Sequence, residues 1–155
     1  HGHPAGIEGA AAAALLVALA IDKTPPEEML AALQDRVGGR AADLDARLEQ
    51  LPEMLLAAPS VALSADGLGE AWVAEEAVVC ALYCFWRSPE DFGETVITAA
   101  NTDGDSDSIA AIAGSISGAY NGVDGIPARW REDVENAAEL RELALALASA
   151  ATASG

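Results

Sequence analysis

An all-α fold follows from three features of the sequence. Apolar residues recur at steps of three and four, as on one face of a helix. Segment starts carry Pro or Ser beside acidic residues, a helix-opening signature. No run alternates apolar and polar residues long enough to make a strand. Composition agrees: 52% of residues are hydrophobic but only 5% aromatic, and Ala-rich stripes suit close helix packing.

The elements follow in order. Pro4 sits near the start of the first helix, whose body runs over residues 7–21. That body is apolar nearly all round, which predicts a central position. Its uninterrupted apolar stretch, residues 10–21, is too short to span a bilayer. It also lacks a basic leader and a cleavage site, so it does not read as a signal peptide. Thr24-Pro25-Pro26-Glu27-Glu28 opens the second helix, with Thr24 as the expected N-cap, and Gly38-Gly39 stops it. Leu44, Leu48 and Leu51 mark a third helix over residues 41–51, with Pro52 opening a further turn. Residues 59–69 read as a loop. A helix over residues 73–86 and one over 92–100 follow, the latter started by Ser88-Pro89-Glu90-Asp91. A polar loop leads into a helix over residues 108–120, Ile126-Pro127 opens a short helix, and the last amphipathic helix covers residues 137–150 before a fraying tail.

The formal net charge is −17, with no Lys/Arg cluster to offset it. Such a surface repels nucleic acid and anionic membranes and tolerates divalent cations. Cys80 and Cys84 are the only cysteines. Four residues apart in an apolar run, they share a helix face and read as buried free thiols, with a disulfide or metal pair as the alternative. A reducing, cytoplasmic location is expected.

Chemistry concentrates at Asn101-Thr102-Asp103-Gly104-Asp105-Ser106-Asp107-Ser108. Three carboxylates so close repel one another unless a helix N-terminus or a hard cation holds them ionised. Asp carboxylates and a Ser hydroxyl are the oxygen donors that Mg²⁺, Mn²⁺ and Ca²⁺ take. A plain Asp-rich cap before a helix explains the same residues. An EF-hand does not: its sixth position would be Ser108 instead of Gly, and its twelfth Gly114 instead of Glu. Beyond the loop, Ala110, Gly114, Gly118 and Gly122 recur every four residues, which predicts a face against which another backbone packs closely.

Residues 104–110, continuing through Gly114, Gly118-Ala119-Tyr120 and Gly122, resemble the C-terminal metal motif of ADP-ribosylglycohydrolases of the dinitrogenase-reductase-activating type. Trp72 to Ala77 with Ala81-Leu82-Tyr83, Ile126-Pro127 with Trp130, and His1-Gly2-His3-Pro4 with Gly9-Ala10 resemble further family segments in the right order. The resemblance implies an orthogonal helical bundle, present as the C-terminal half of one domain over residues 1–155, with two divalent cations, Mg²⁺ or Mn²⁺. It implies Asp105, Asp107 and Ser108 as metal ligands, and His1 and Trp72 beside bound ADP-ribose. Asp103 stands where many members have Gly and is not carried over as a ligand.

The family's Thr-Asp-Asp ligand cluster and its catalytic acidic residue belong to the N-terminal half, and no Thr-Asp-Asp occurs here. No catalytic residue is therefore expected in this chain. A separate N-terminal chain of the same protein, or a trimmed product beginning at His1 without an initiator Met, is expected to account for the remainder. The implied reaction is metal-dependent hydrolysis of the glycosidic bond between ADP-ribose and a protein side chain or small molecule, with the linkage open. A non-catalytic ADP-ribose-binding module or degenerate pseudoenzyme, and a helical scaffold with a capped acidic turn, are the competing readings.

Overall fold

Nine α-helices and one 3-10 turn, with no strand, make up the described residues; the computed structural model of the chain describes residues 2–153. The helices are α1 (Pro4–Ile21), α2 (Pro26–Val37), α3 (Ala42–Met54), α4 (Pro59–Ala62), α5 (Ala74–Arg87), α6 (Phe92–Ala100), α7 (Ser106–Asn121), α8 (Ala128–Asp133) and α9 (Ala137–Ala153). The all-α expectation holds. Boundaries differ in instructive places. Thr24 is not the N-cap of α2; Pro25 takes that position and no side chain caps the helix. Pro52 lies inside α3 and does not open a new turn. A short helix, α4, forms within the segment read as loop. Helix α7 begins two residues earlier than the spacing suggests, because Asp105 is its N-cap.

The central helix is α5 and not α1. Every residue from Ala77 to Phe85 is buried, whereas α1 buries only the stripe Ala5, Gly9, Ala12, Leu16 and Ala20. Its other face, with Ile7 and Ile21, is exposed. The reason is side-chain area. Val78, Val79, Leu82, Tyr83 and Phe85 give α5 large apolar surface all round, while the outer face of α1 is mostly Ala and gains little from burial. Helix α1 is also longer than its apolar run: at 18 residues and a mean hydropathy of 1.8 it meets the length and composition of a bilayer span. One face is nevertheless committed to protein, since it packs on α5 and α7.

Gly9 lets the backbone of α1 approach α5, where an added Cβ would lie 3.1 Å from that of Ala74. Helix α7 packs against α1, α5 and α6, which fixes its N-terminus within the bundle. Its C-terminal end is tied down by Asn121, whose Nδ2 donates to the Pro89 carbonyl at 2.9 Å and to the buried Ser117 hydroxyl at 3.1 Å. Tyr120 meets Phe85 edge-on at 5.2 Å. Gly122 ends α7 with φ +72, a conformation that favours glycine. Helix α9 leaves Leu140, Leu143, Leu145 and Leu147 exposed and packs on α8.

Cys80 and Cys84 are free and fully buried. Burial, reinforced by the negative charge of Glu76, pushes the Cys80 thiol up to about 12, and burial raises that of Cys84 as well. Both thiols should stay unreactive towards a disulfide reagent at pH 8 in the native chain and react fully in denaturant. Rapid native reaction at either would contradict their placement.

Candidate metal and ligand site

The site is built where two turns meet. The first is the segment between α4 and α5. Gly67, Leu68 and Gly69 are buried there, with the Leu68 amide on the Ala62 carbonyl at 2.7 Å and the Gly69 amide on the Ser64 carbonyl at 3.0 Å. Gly69 has φ +112, and a Cβ on it would strike the Glu76 carboxyl group. Ala71, buried, also has positive φ (65°), a conformation that costs an alanine about 1–2 kcal/mol. These bends leave Glu70 partly buried and Trp72 outward, 67% exposed.

A half-buried ion pair supports that turn from below. Arg47 of α3 and Glu76 of α5 meet at 2.6 Å, with side chains 26% and 15% exposed. Arg47 also donates to the Gly67 carbonyl at 3.2 Å. The second oxygen of Glu76 accepts the Glu70 amide at 3.1 Å, and the Cys80 thiol lies 3.5 Å from the Gly69 carbonyl. The Gly67 and Gly69 carbonyls and the Glu70 amide are thereby taken up by side chains.

The second turn is the acidic loop between α6 and α7. The Asp105 amide donates to the Glu70 carbonyl at 2.8 Å, which joins the two turns. Gly104 makes that approach feasible. Its φ is not positive, but a Cβ there would fall on the Glu70 carbonyl oxygen. Asp105 then caps α7, with Ser106, Asp107 and Ser108 in its first turn. The Asp105 side chain lies beside the Ser108 hydroxyl and the Asp107 side chain without closing a full cap hydrogen bond. The Ser108 hydroxyl, and then Asp107, hold the Asp105 carboxyl below its ordinary value.

Asp105, Asp107 and Ser108 are thus brought together, as their spacing suggests. Trp72 joins them through Glu70, whose Oε2 accepts the indole N–H at 3.1 Å. His1 lies outside the described residues. Asp103 is exposed on the loop, and the neighbouring Thr102 hydroxyl is buried without a hydrogen-bond partner. The expected close-packing face of α7 is only partly realised. A Cβ at Gly114 or Gly118 would make ordinary contact with Val96 or Phe92 side chains at 3.5 and 3.6 Å, and Gly122 serves as a terminator.

The donor set fits a hard divalent cation by chemistry: carboxylate and hydroxyl oxygens at a positive helix end. It is too small to enclose one. Among the described residues no three His, Cys, Asp or Glu side chains converge on a point. The sequence reading missed Glu70, Glu76 and Arg47. Glu76 lies six residues beyond Glu70, and Arg47 lies in another helix, so no local spacing links them.

The match of a family model decides the lineage: ADP-ribosylglycohydrolase, over residues 1–155. The chain belongs to this family. It is 33% identical to the human (Homo sapiens) ADP-ribosylhydrolase ARH3 over 95% of its own length and 48% of that protein. It is 34% identical to an uncharacterized protein of Archaeoglobus fulgidus over 95% of the chain and 47% of that protein. The ADP-ribosylarginine hydrolase Tri1 of Pseudomonas putida matches at 35% over 52% of the chain. The chain spans about half the length of the curated relatives it matches along nearly all of its own length.

The two kinds of glycine should separate by stability. Gly104→Ala should cost about 1–3 kcal/mol, because the added methyl group has no room against the Glu70 carbonyl. Gly114→Ala should gain about 0.5–1 kcal/mol, because its methyl group fits and the helix loses a flexible residue. Urea unfolding followed by circular dichroism measures both, and equal effects would contradict the packing at Gly104.

Proposed function

We propose that the chain supplies the C-terminal share of an ADP-ribosyl hydrolase active site, in which Asp105, Asp107 and Ser108 hold divalent cation, Mg²⁺ or Mn²⁺, and Trp72 faces ADP-ribose. The observation that carries this reading is the Glu70 junction, which bonds the start of the acidic loop at Asp105 and the exposed Trp72 indole to one residue. Family membership and the relatives named as hydrolases of ADP-ribose linkages support the reaction class.

Each residue has a distinct task. Asp105 and Asp107 supply negative charge at the N-terminus of α7, where backbone N–H groups and the helix dipole offset their repulsion. Ser108 adds a neutral oxygen. Divalent cations held by Asp105, Asp107 and Ser108 would supply Lewis-acid polarisation of a water and orientation of the ribose hydroxyls. Trp72 offers a flat apolar face for an adenine or ribose ring, and His1 is assigned to the same ligand. No group of this chain is assigned the proton transfers.

The remaining ligands and the catalytic acid belong, on this reading, to the polypeptide that corresponds to the rest of the relatives' length, joined to this chain or separate from it. Two features support that division: the three donors cannot surround even one cation, and α1 and α9 carry apolar faces open to solvent. The substrate is an ADP-ribosylated side chain or small molecule. Two buried free thiols support a reducing, cytoplasmic setting.

Calorimetric titration with Mn²⁺ and ADP-ribose, repeated in EDTA, tests the reading. Metal-dependent heat should appear, and Asp107→Ala should weaken Mn²⁺ binding about tenfold or more while the helical circular dichroism persists. Unchanged Mn²⁺ affinity in Asp107→Ala would remove the ligand assignment. Binding of ADP-ribose without turnover in an assembly that also contains the rest of the family domain would favour a pure binding module.

A further inference from the structure

We propose that Glu70 is the positioning residue of this site, holding the Trp72 indole and the acidic loop in one fixed relation; the inference rests on the reading of Asp105, Asp107 and Trp72 given above. The amide, carbonyl and carboxylate of Glu70 each bond a different residue: Glu76 in α5, Asp105 at the start of α7, and Trp72 in its own turn. Its amide donates to Glu76 of α5 at 3.1 Å. Its carbonyl accepts the amide of Asp105, the N-cap of α7, at 2.8 Å. Its carboxylate accepts the Trp72 indole N–H at 3.1 Å. No other described residue is bonded both to the cap of α7 and to the exposed indole.

The surroundings give Glu70 little room to move. The Arg47–Glu76 pair anchors its amide from within the fold. Gly104 lies against its carbonyl so closely that no side chain fits between them. Gly69 before it and Ala71 after it both take positive φ, so the backbone direction changes on each side. An indole 67% exposed would otherwise turn freely about two side-chain torsions. Bonded to Glu70, it is set before a ligand arrives, and the cost of ordering it on binding falls.

The task needs an acceptor and not a charge. Gln offers an amide oxygen at the same reach, while Ala offers none. Glu70→Ala leaves both backbone bonds of the residue intact, so it separates the indole clamp from the junction with Asp105. It should weaken ADP-ribose binding about threefold to tenfold, the cost of ordering one freed side chain. Mn²⁺ affinity should stay unchanged, and Glu70→Gln should restore the ligand affinity.

The test uses NMR of the ¹⁵N-labelled 155-residue chain, with the Trp72 indole signal assigned by its loss in Trp72→Phe. Solvent exchange of the indole N–H should be slowed in the native chain and in Glu70→Gln, and become several-fold faster in Glu70→Ala. The Asp105 amide should remain protected in all three, which reports that the junction and the fold persist. Equal indole exchange in native chain and Glu70→Ala overturns the clamp. Added Mn²⁺ should broaden the Trp72 indole signal together with the amides of residues 105–108. Broadening of those amides with a sharp Trp72 signal overturns the inference. Mn²⁺ that broadens neither overturns the metal reading alone, and indole exchange then decides the clamp by itself.

Discussion

The contact between Arg47 and Glu76 is the interaction on which the site's geometry depends. It joins α3 to α5 at 2.6 Å, mostly out of water, and each partner makes a further hydrogen bond to the turn above them. Arg47 holds the Gly67 carbonyl and Glu76 holds the Glu70 amide. A half-buried charge pair of this kind is a modest source of stability, because desolvation offsets much of the attraction. Its effect is directional. Arg47, Glu76, the Gly67 carbonyl and the Glu70 amide satisfy one another in this arrangement of the turn, in which the Glu70 carbonyl meets the start of α7.

The sequence shows the helices well and their ranking poorly. Proline and acidic starts, with a glycine stop for α2, place α2, α6 and α8 within a few residues, since those signals act through local backbone chemistry. The placing of α1 at the centre fails because periodicity records which faces are apolar but not how much area each offers. An alanine face and a face of Leu, Phe and Tyr read alike in a pattern, yet burying the second removes far more surface from water. The early start of α7 has a similar origin. Asp105 serves as cap through its backbone conformation, while its side chain lies by Ser108 and Asp107, so rules for side-chain capping place the boundary too late.

The acidic motif is legible because its donors are contiguous; the rest of the site is not, because it is assembled from distant segments. Nothing in the order of residues says that Glu70, 35 positions before Asp105, accepts its amide. Trp72 was reachable only through likeness to a family segment, and its attachment to Glu70 required the fold. The lesson for Gly104 is sharper. Glycine in an Asp-rich turn invites an explanation by backbone freedom, but its φ lies outside the left-handed region. What it provides is an empty volume, into which the Glu70 carbonyl fits.

These constraints separate two functions within one short motif. Asp105, Asp107 and Ser108 present oxygen, and Gly104 permits the approach that aims them. A substitution at the first group changes the charge and the oxygen donors at the start of α7. A substitution at Gly104 removes no donor, but its added Cβ would collide with the Glu70 carbonyl and so bears on the contact between the start of α7 and the segment that carries Trp72. The packing of a glycine against a carbonyl, with no donor of its own, therefore shapes the loop as much as the carboxylates set its charge.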